Sequence, residues 1–422
     1  MKNKEIFKIT SYQTEVLFQG NKLKSAIEKE NSSIAVRVIK NNKLGFASGI
    51  GIKDEKKIIK QAEENSLFGE ITQFDFPSNN SFIKLNTYDI DTANLSLSKM
   101  TEIGKEILEP IKAKYNKSNI NIKINKAICL SEITNTSKLK ASSKNTFFTA
   151  VCELEKMEQN DILLVYDYIV DYKEKNEHKK IAKEIFRKLQ LSEKIVKLSC
   201  KNIPVIFTPE AVSILTLPLL QGLNGKAIAQ KISPMFDKLG KKIFDEKLSL
   251  CDNPHIDKKP ASMGFDDEGV PTKKNILIEK GKIKNFYFDL KTAAFCKEKS
   301  TGNGKRSSIT SIPSPEIHNL IFKSGNNSLK EMIGSIKNGL IVDTVLGLGQ
   351  GNTISGAFST PLDLGFKIEN GEIIGRVKEV FISGNIYDLL KNIFCISKEK
   401  KWVNGNCLFP YVLLENVSVI EK

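Results

Sequence analysis

The chain has 422 residues, 40% of them hydrophobic and 27% charged, which is typical of a soluble globular protein with more than one domain. No apolar run approaches the roughly 18 residues that cross a bilayer, and the first residues, MKNKEIFKITSYQTEV, lack the apolar segment of a secretory signal. The formal charge of +15 comes from lysines spread along the whole chain, and the densest basic stretches also carry acids, so nucleic-acid binding is not favoured. Seven scattered cysteines without a Cys-x-x-Cys pair are typical of reduced thiols and indicate a cytoplasmic protein.

The first half of the chain alternates strand and helix patterns. SIAVRVIKNNKLGFAS is typical of a β-hairpin that turns at Asn41 and Asn42, and Asp54 is placed to cap the helix that follows. Further patterns predict a helix over 97–114, strands over 119–131, 143–156 and 161–172, and an amphipathic helix over 177–193. We therefore expect an N-terminal and central α/β region over residues 1–197.

The second half, residues 198–422, is predicted to be a strand-rich C-terminal domain. It opens with the apolar strand IPVIF and a helix over 209–224 that Pro218 should interrupt. The helix signal of SLKEMIGSIKNG has a capping box between Ser328 and Glu331, and Gly339 is expected to close it. Runs of strands and helices without regular βαβ alternation indicate an α+β fold.

The segment GFDDEGVPT places Asp266, Asp267 and Glu268 side by side between two glycines. Three interpretations are open: a tight turn, a metal-binding carboxylate cluster, or an acid/base pair. Glycine and aspartate together are turn chemistry first, so the residues alone favour the turn.

Three other motifs suggest ligand sites and do not fit them. GLGQGN has the wrong spacing for a dinucleotide-binding loop and precedes a strand pattern, whereas STGNGKRSS lacks the serine or threonine that a phosphate loop offers to magnesium. Cys251 and His255 could supply two zinc ligands, but the other histidines are single and distant. The residues alone therefore indicate a two-domain α+β protein without an assignable activity.

Read together, several motifs make the chain resemble the TldD/PmbA family, whose members were once called modulators of DNA gyrase. The motifs that carry the resemblance, in chain order, are CDNP, GFDDEG, STGN, LGLGQGNTISGAFS and GFKIENGEIIGRVKEVFISGN, with SIAVRVIKNNKLGFAS upstream. The resemblance covers nearly the whole chain. It implies two domains, an N-terminal mixed α/β domain and a strand-rich C-terminal domain with a large antiparallel sheet, and it suggests that this N-terminal domain is somewhat trimmed.

The family has two types, and a helix of the C-terminal domain separates them. The TldD type carries H-E-x-x-x-H, which gives two zinc ligands and a general base, and the PmbA or TldE type lacks it. The corresponding stretch here is LTLPLLQGLNG, with Thr216 and Gln221 in the histidine positions and Leu217 in the glutamate position. The resemblance therefore implies a PmbA/TldE-like chain with no catalytic residue and no metal of its own, and zinc in a TldD-type partner.

The resemblance also implies a function. We expect the non-catalytic subunit of a cytosolic metallopeptidase system that degrades or trims unfolded peptides, with a TldD-type subunit or a second copy of the chain as partner. A stand-alone dimer that binds peptide or another ligand is the alternative, and a DNA gyrase modulator is a third class.

Some residues of the shared motifs are expected to shape a cleft between two chains. They are Asp266, Asp267, Glu268, Asn303 and Asn352. Gly347, Gly349 and Gly351 are expected to matter through their backbone conformation. Open strand edges in the C-terminal domain are expected to be covered by the partner chain.

Overall fold

The computed structural model describes residues 3–51, 54–78, 81–158, 161–198, 201–347 and 349–421. The first part of the chain builds an antiparallel sheet of six strands in the order β3-β2-β1-β4-β5-β6. The strands are β1 (Asn3–Gln19), β2 (Lys22–Lys40), β3 (Lys43–Ile50), β4 (Asn119–Asn135), β5 (Lys140–Glu158) and β6 (Asp161–Asp171). Asn41 and Asn42 make the predicted turn between β2 and β3, with φ of 52° and 58°, in the left-handed region that two-residue hairpins require.

Among its described residues this half has four helices: α1 (Glu55–Asn65), α2 (Ile90–Ala93), α3 (Leu97–Lys114) and α4 (Lys179–Leu191). The predicted cap of α1 is confirmed, because the Asp54 side chain accepts a hydrogen bond from the Lys57 N–H. The apolar positions of α3 and α4 recur at helical spacing and are buried, among them Met100, Ile107 and Ile185. The periodicity of the sequence therefore located both helices correctly.

The second half of the chain forms a mostly antiparallel sheet, which the described residues show with eleven strands. The strands of this half are β7 (Asn202–Phe207), β8 (Leu250–Asp252), β9 (Asn275–Glu279), β10 (Lys282–Ile283), β11 (Gly304–Lys305), β12 (Ser314–Pro315), β13 (Leu320–Phe322), β14 (Asn338–Val345), β15 (Ala357–Glu369), β16 (Glu372–Arg376), β17 (Val380–Asn385), β18 (Ile393–Val403) and β19 (Cys407–Glu421). β11 and β12 form a separate pair. β7 runs parallel to β14, and β13 runs parallel to β19.

In the part of this half that the structure describes, five helices accompany the strands: α5 (Val212–Leu223), α6 (Gly225–Ala229), α7 (Leu290–Cys296), α8 (Leu329–Gly334) and α9 (Ile386–Leu389). None of the helices within the described ranges is long and apolar enough to span a membrane.

The two faces of the large sheet belong to two different cores. On β7, Val205 and Phe207 pack with α5 and the other apolar residues of the C-terminal half, whereas Ile206 packs with α3, α4 and the six-stranded sheet. β14 repeats the pattern, with Ile341 on the face toward the N-terminal half. The alternation of side chains along a strand thus joins the two halves through a shared hydrophobic layer.

The structure corrects three expectations. α5 continues through Pro218, because Leu215 and Leu219 are fully buried and this packing holds the helix despite the missing proline N–H. α8 ends at Gly334, so Gly339 lies inside β14, although the capping box of Ser328 and Glu331 is present.

The third correction concerns the C-terminal strand edges that were expected to be open. β15 is paired with β14, β16 and β17, and β19 pairs with both β17 and β7. Strands β7, β14, β15, β17 and β19 therefore close into a ring within one chain, which covers the edges of these five strands, whereas β16 pairs with β15 alone among the described strands.

Candidate functional site

Helix α5 and the glycine loop that follows β14 leave the sheet at the same place. α5 comes shortly after β7, and β7 and β14 are parallel neighbours, so the carboxyl ends of both strands lie at one edge of the sheet. The described part of the loop covers residues 346, 347 and 349–352 and leads into a 3-10 turn at Thr353–Ser355. The helix and the loop together form the region in which the resemblance places the family's zinc motif.

The three motif positions of α5 carry side chains that are apolar or already bonded. Thr216 is 2% exposed, and its hydroxyl donates to the Val212 carbonyl of its own helix at 3.1 Å. Leu217 lies under the glycine loop, since a β-carbon at Gly349 would lie 3.7 Å from Leu217 Cδ2. Gln221 accepts a hydrogen bond from the Thr353 hydroxyl through its Oε1 atom. None of these side chains is a strong zinc ligand or a general base.

The conformation of the loop depends on its glycines. Gly347, Gly349 and Gly351 have φ of 72°, 87° and 79°, in the left-handed region that favours glycine. The prediction that these glycines matter through their backbone therefore agrees with the geometry. Asn352, at the end of the loop, is exposed. Leu348 lies outside the described residues.

Tyr387, on α9, ties the loop to the helix. Its hydroxyl lies 2.8 Å from the Ile354 carbonyl, beyond the loop, and 3.0 Å from the Pro218 carbonyl of α5. A β-carbon at Gly222 would lie 3.2 Å from this hydroxyl. The tyrosine therefore fills the space beside α5 with a bonded polar group.

The acids of GFDDEGVPT lie in the segment between β8 and β9, and Asp266 and Glu268 are fully buried. Asp266 is fully buried and accepts three backbone hydrogen bonds: from the N–H groups of Glu268 and Val270 through Oδ1, at 3.0 and 2.9 Å, and from Gly304 through Oδ2, at 2.8 Å. Asp267 accepts from the Arg306 N–H at 2.8 Å. Both aspartates thus stabilise a turn and hold the 304–306 segment against it, which agrees with the turn interpretation.

Glu268 connects the two halves of the chain. Its Oε1 accepts from Arg37 Nη1 at 2.6 Å, and its Oε2 accepts from the Leu290 N–H at the start of α7 at 2.7 Å. Arg37, on β2, also makes a two-pronged contact with Glu5 of β1, at 2.8 and 2.6 Å. Arg306 reaches Glu5 Oε1 at 3.2 Å. We call Glu5, Arg37, Glu268 and Arg306 the interdomain ion cluster.

Burial sets the electrostatics of this cluster. Burial is the main cause that raises the pKa of Glu268 to about 7, against the lowering effect of the Arg37 charge. Burial and then the Glu268 charge raise the pKa of Asp266 well above its ordinary value. Burial lowers the pKa of Arg306 to about 10. Burial would also lower the pKa of Arg37, but the charges of Glu5 and Glu268 raise it.

Asn303 belongs to a second buried polar group. Its Nδ2 donates to Asp252 Oδ2 at 2.7 Å and to the Glu316 carbonyl at 2.8 Å. Burial raises the pKa of Asp252 to about 6, and burial lowers the pKa of the neighbouring His318 to about 3. These side chains hold the STGN segment in place through hydrogen bonds.

The structure therefore separates the five candidate cleft residues. Asp266, Glu268 and Asn303 are at most 1% exposed, so in this chain they lie in the packed interior and not on a cleft surface. Asp267 is partly exposed, and Asn352 is the most accessible of the five. Sequence reasoning missed Glu5, Arg37 and Arg306, and the available signal was a charged residue within the apolar strand IAVRVI.

A metal-ligand cluster does not form from the described residues. Within the described ranges, no group of three His, Cys, Asp or Glu side chains comes close enough to hold a metal ion. His255, considered with Cys251 as a zinc ligand, has its Nε2 atom 3.0 Å from the Thr272 hydroxyl. His318 is buried and its Nε2 lies 2.8 Å from the Gly302 carbonyl.

The chain thus has an α+β fold with two sheets, and the three motif positions of α5 carry no strong zinc ligand. Comparison with family models identifies the family. Residues 200–421 match the PmbA/TldA metallopeptidase C-terminal domain, and residues 5–66 match PmbA/TldA metallopeptidase domain 1. The first match alone covers more than half of the chain. The chain therefore belongs to the PmbA/TldD metallopeptidase family.

Several curated relatives carry names from this family. The chain is 32% identical over 203 residues to the metalloprotease PmbA of Escherichia coli O157:H7, covering 48% of this chain and 42% of that protein. It is 32% identical over 206 residues to the zinc metalloprotease TldD homolog of Saccharolobus solfataricus, covering 48% and 46%. These alignments thus span less than half of the named metalloproteases. An uncharacterised protein of Methanocaldococcus jannaschii is 25% identical over 421 residues, covering 97% and 95%.

Solved structures confirm the fold. TldE from Thermococcus kodakarensis superposes with a TM-score of 0.91 at 24% identity, covering 99% of this chain and 96% of that one. A Thermotoga maritima protein described as a candidate modulator of a DNA gyrase gives a TM-score of 0.88 with the same identity and coverage. The α+β fold with its large sheet is therefore as expected.

Proposed function

We propose that this chain is a PmbA/TldE-type, non-catalytic subunit of a TldD/PmbA-type metallopeptidase system. The observation that carries the proposal is the identity and packing of the side chains at the three motif positions of helix α5. Thr216, Leu217 and Gln221 occupy the motif positions, and their side chains pack or bond within the chain. A peptidase site needs a metal or nucleophile and a base that can reach a substrate, and these three side chains supply neither.

The TldD-type partner supplies the zinc and the general base in this proposal, and unfolded peptides are the substrate. This chain contributes a fixed surface beside the cleft. Asn352 and the glycine loop remain our candidates for that surface, because they are exposed at the edge of the sheet above α5. Asp266, Glu268 and Asn303 contribute indirectly, by holding the domain together.

We place the assembly in the cytoplasm. The six cysteines within the described ranges are all free, and burial raises the pKa of Cys152 and Cys407 to about 12, so these thiols are unreactive. Such buried, reduced thiols suit a reducing compartment.

The test compares three preparations: this chain alone, a TldD-type chain alone, and the two mixed. Zinc content is measured by mass spectrometry of the metal, and cleavage is measured on an unstructured peptide and on a folded protein. We expect no stoichiometric zinc and no cleavage from this chain alone, and zinc-dependent cleavage of the peptide from the mixture.

The control is a mixture in which the TldD-type chain has its motif glutamate replaced by glutamine, which should abolish cleavage. Stoichiometric zinc or cleavage with this chain alone would contradict the non-catalytic assignment. Failure to bind the TldD-type chain, together with tight binding of peptide, would support the alternative of a stand-alone binding protein. Binding to DNA that weakens steeply with salt would instead support the gyrase-modulator class.

A further inference from the structure

A small, partly enclosed cavity of about 100 Å³ lies at the junction of the two halves of the chain. Its walls come from β6 and the end of α4 in the N-terminal half, and from Arg376 at the end of β16 in the C-terminal half. Within the described residues, its lining includes none from α5 or the glycine loop. The cavity is therefore separate from the candidate site, and we call it the Arg376 cavity.

Arg376 is fixed beside this cavity by its backbone and by its side chain. Its N–H donates to the Lys194 carbonyl at 2.8 Å, and its carbonyl accepts from the Val196 N–H at 2.9 Å. A β-carbon at Gly375 would lie 2.4 Å from the Lys194 carbonyl oxygen, so the preceding glycine permits this close approach. The Nη2 atom of Arg376 donates to Asp161 on β6. The guanidinium therefore has a defined position.

Two of the buried polar atoms at the cavity lack a hydrogen-bond partner among the described residues. One is Arg376 Nε, in a side chain that is only 5% exposed. The other is Asp161 Oδ1, which lies 3.6 Å from Lys378 Nζ, beyond hydrogen-bond distance. A buried polar atom without a partner costs free energy, so such atoms normally bond to water or to a ligand. Here one atom is a donor and the other is an acceptor.

The charges around the cavity favour a ligand that carries both signs. The charged side chains that line it are Lys156, Glu158, Asp161, Glu193 and Arg376. Lys156 and Glu158 pair with each other at 2.7 Å. A carboxylate of the ligand can accept from Arg376 Nε, and an ammonium group can donate to Asp161 Oδ1. A free α-amino acid carries both groups on one carbon atom.

The volume and the remaining walls limit the side chain of such an amino acid. One buried water needs about 10–15 Å³ of such space, so the cavity holds on the order of seven to ten small groups, which is the size of valine. The apolar lining consists of Tyr115, Leu163, Leu189 and Ile195. Apolar walls with a few polar groups that fix orientation are typical of small-molecule sites. An aliphatic side chain therefore fits this space.

We propose that the Arg376 cavity binds a small aliphatic α-amino acid, with its carboxylate on Arg376 and its ammonium group on Asp161. The ligand bridges the two halves of the chain, because these two residues belong to different halves. Peptide hydrolysis releases compounds of this class, so a chain in a peptidase system meets such a ligand as a product. The site itself does not rest on the proposed function, because its evidence is the cavity alone.

The first experiment is isothermal titration calorimetry of the full chain with L-valine. We expect one saturable site per chain with a Kd below about 1 mM. Two matched compounds each remove one charge: valinamide lacks the carboxylate, and N-acetyl-valine lacks the ammonium group. Each should bind about tenfold more weakly or less, because it leaves one of the two buried atoms without a charged partner.

The second experiment repeats the titration on variants of the chain. Asp161→Asn keeps the volume and removes the charge that faces the ammonium group, so valine should bind about tenfold more weakly. Ile195→Trp fills the cavity from a side chain that is 51% exposed, and binding should be lost. Ile90→Trp is the matched control, because Ile90 is 56% exposed and is not among the lining residues. Circular dichroism verifies that each variant is folded, and Ile195→Trp decides the matter if Asp161→Asn does not fold.

Three results would overturn the inference. The first is the absence of saturable valine binding up to about 20 mM, which would show that water alone satisfies the two buried atoms. The second is equally tight binding of valinamide or N-acetyl-valine, which would show that the two charges are not recognised. The third is an unchanged affinity in a folded Asp161→Asn or Ile195→Trp chain, which would place the ligand elsewhere.

Discussion

Replacing Arg37 by methionine should strongly destabilise the chain. Arg37 is 1% exposed and joins Glu5 and Glu268, two carboxylates that lie on different halves of the chain and are themselves fully buried. Methionine keeps much of the volume and the contact with Phe74 and Phe76, whose ring centroids lie 5.8 and 5.2 Å from the guanidinium carbon. The variant therefore removes the charge and leaves the packing largely intact.

The loss of stability in Arg37→Met depends on which hydrogen-bond partners Glu5 and Glu268 keep. Removing one partner of a buried ion pair costs about 3–5 kcal/mol, because the remaining charge is left uncompensated. Glu5 still has Arg306 at 3.2 Å, and Glu268 still has the Leu290 N–H at 2.7 Å. We therefore expect the lower end of that range, about 3 kcal/mol at pH 7.

The assay is urea unfolding of the full chain, followed by circular dichroism and by tryptophan fluorescence so that separate unfolding of the two halves would be seen. Arg187→Met is the matched control: Arg187 pairs with Glu184 on the surface of α4 and is 50% exposed, so its loss should cost at most about 1 kcal/mol. Adding Glu268→Gln to Arg37→Met should recover part of the loss. If Arg37→Met is no less stable than Arg187→Met, the interdomain ion cluster does not hold the two halves together.

Two further predictions concern the same region. The pKa of Glu268 is raised from 4.5 to about 7, so the folded chain holds this proton more tightly than the unfolded chain, and ionisation of Glu268 lowers stability progressively between those pH values. The stability of Glu268→Gln relative to the unmodified chain should therefore rise between pH 4.5 and pH 7, and a constant difference in urea unfolding would contradict this assignment. Gly304→Ala should lose about 1–3 kcal/mol, because its β-carbon would lie 2.7 Å from Glu268 Cδ. Gly334→Ala, where a β-carbon meets nothing within 4 Å, should be neutral in the same assay, and equal losses at both sites would show that the close contact is not the cause.

The elements that depend on near neighbours in the chain could be predicted from the sequence. The spacing of Met100, Ile103 and Ile107 gave α3, and the pair Asn41 and Asn42 gave the first hairpin turn. These features follow from side-chain periodicity and from local backbone preference, which act over a few residues. The family motifs likewise lie in continuous segments, so the sequence was enough to suggest the family.

The candidate site was only partly predictable. The substitutions at Thr216, Leu217 and Gln221 were visible in the sequence, but the bond between Gln221 and Thr353 joins residues 132 positions apart. The path of α5 through Pro218 was also missed, because propensity favours a break at proline and the burial of the helix in the large core outweighs it.

Local chemistry by itself determined that GFDDEGVPT is a turn, since glycine and aspartate favour one in any context. Only the tertiary structure decided what its acids contact. Glu268 meets Arg37 across 231 positions of sequence, because the two-sheet architecture brings the C-terminal turn against β1 and β2. Sheet order and the packing of one half on the other are set by long-range contacts, and the period of a strand or helix carries no information about which distant charge will lie opposite.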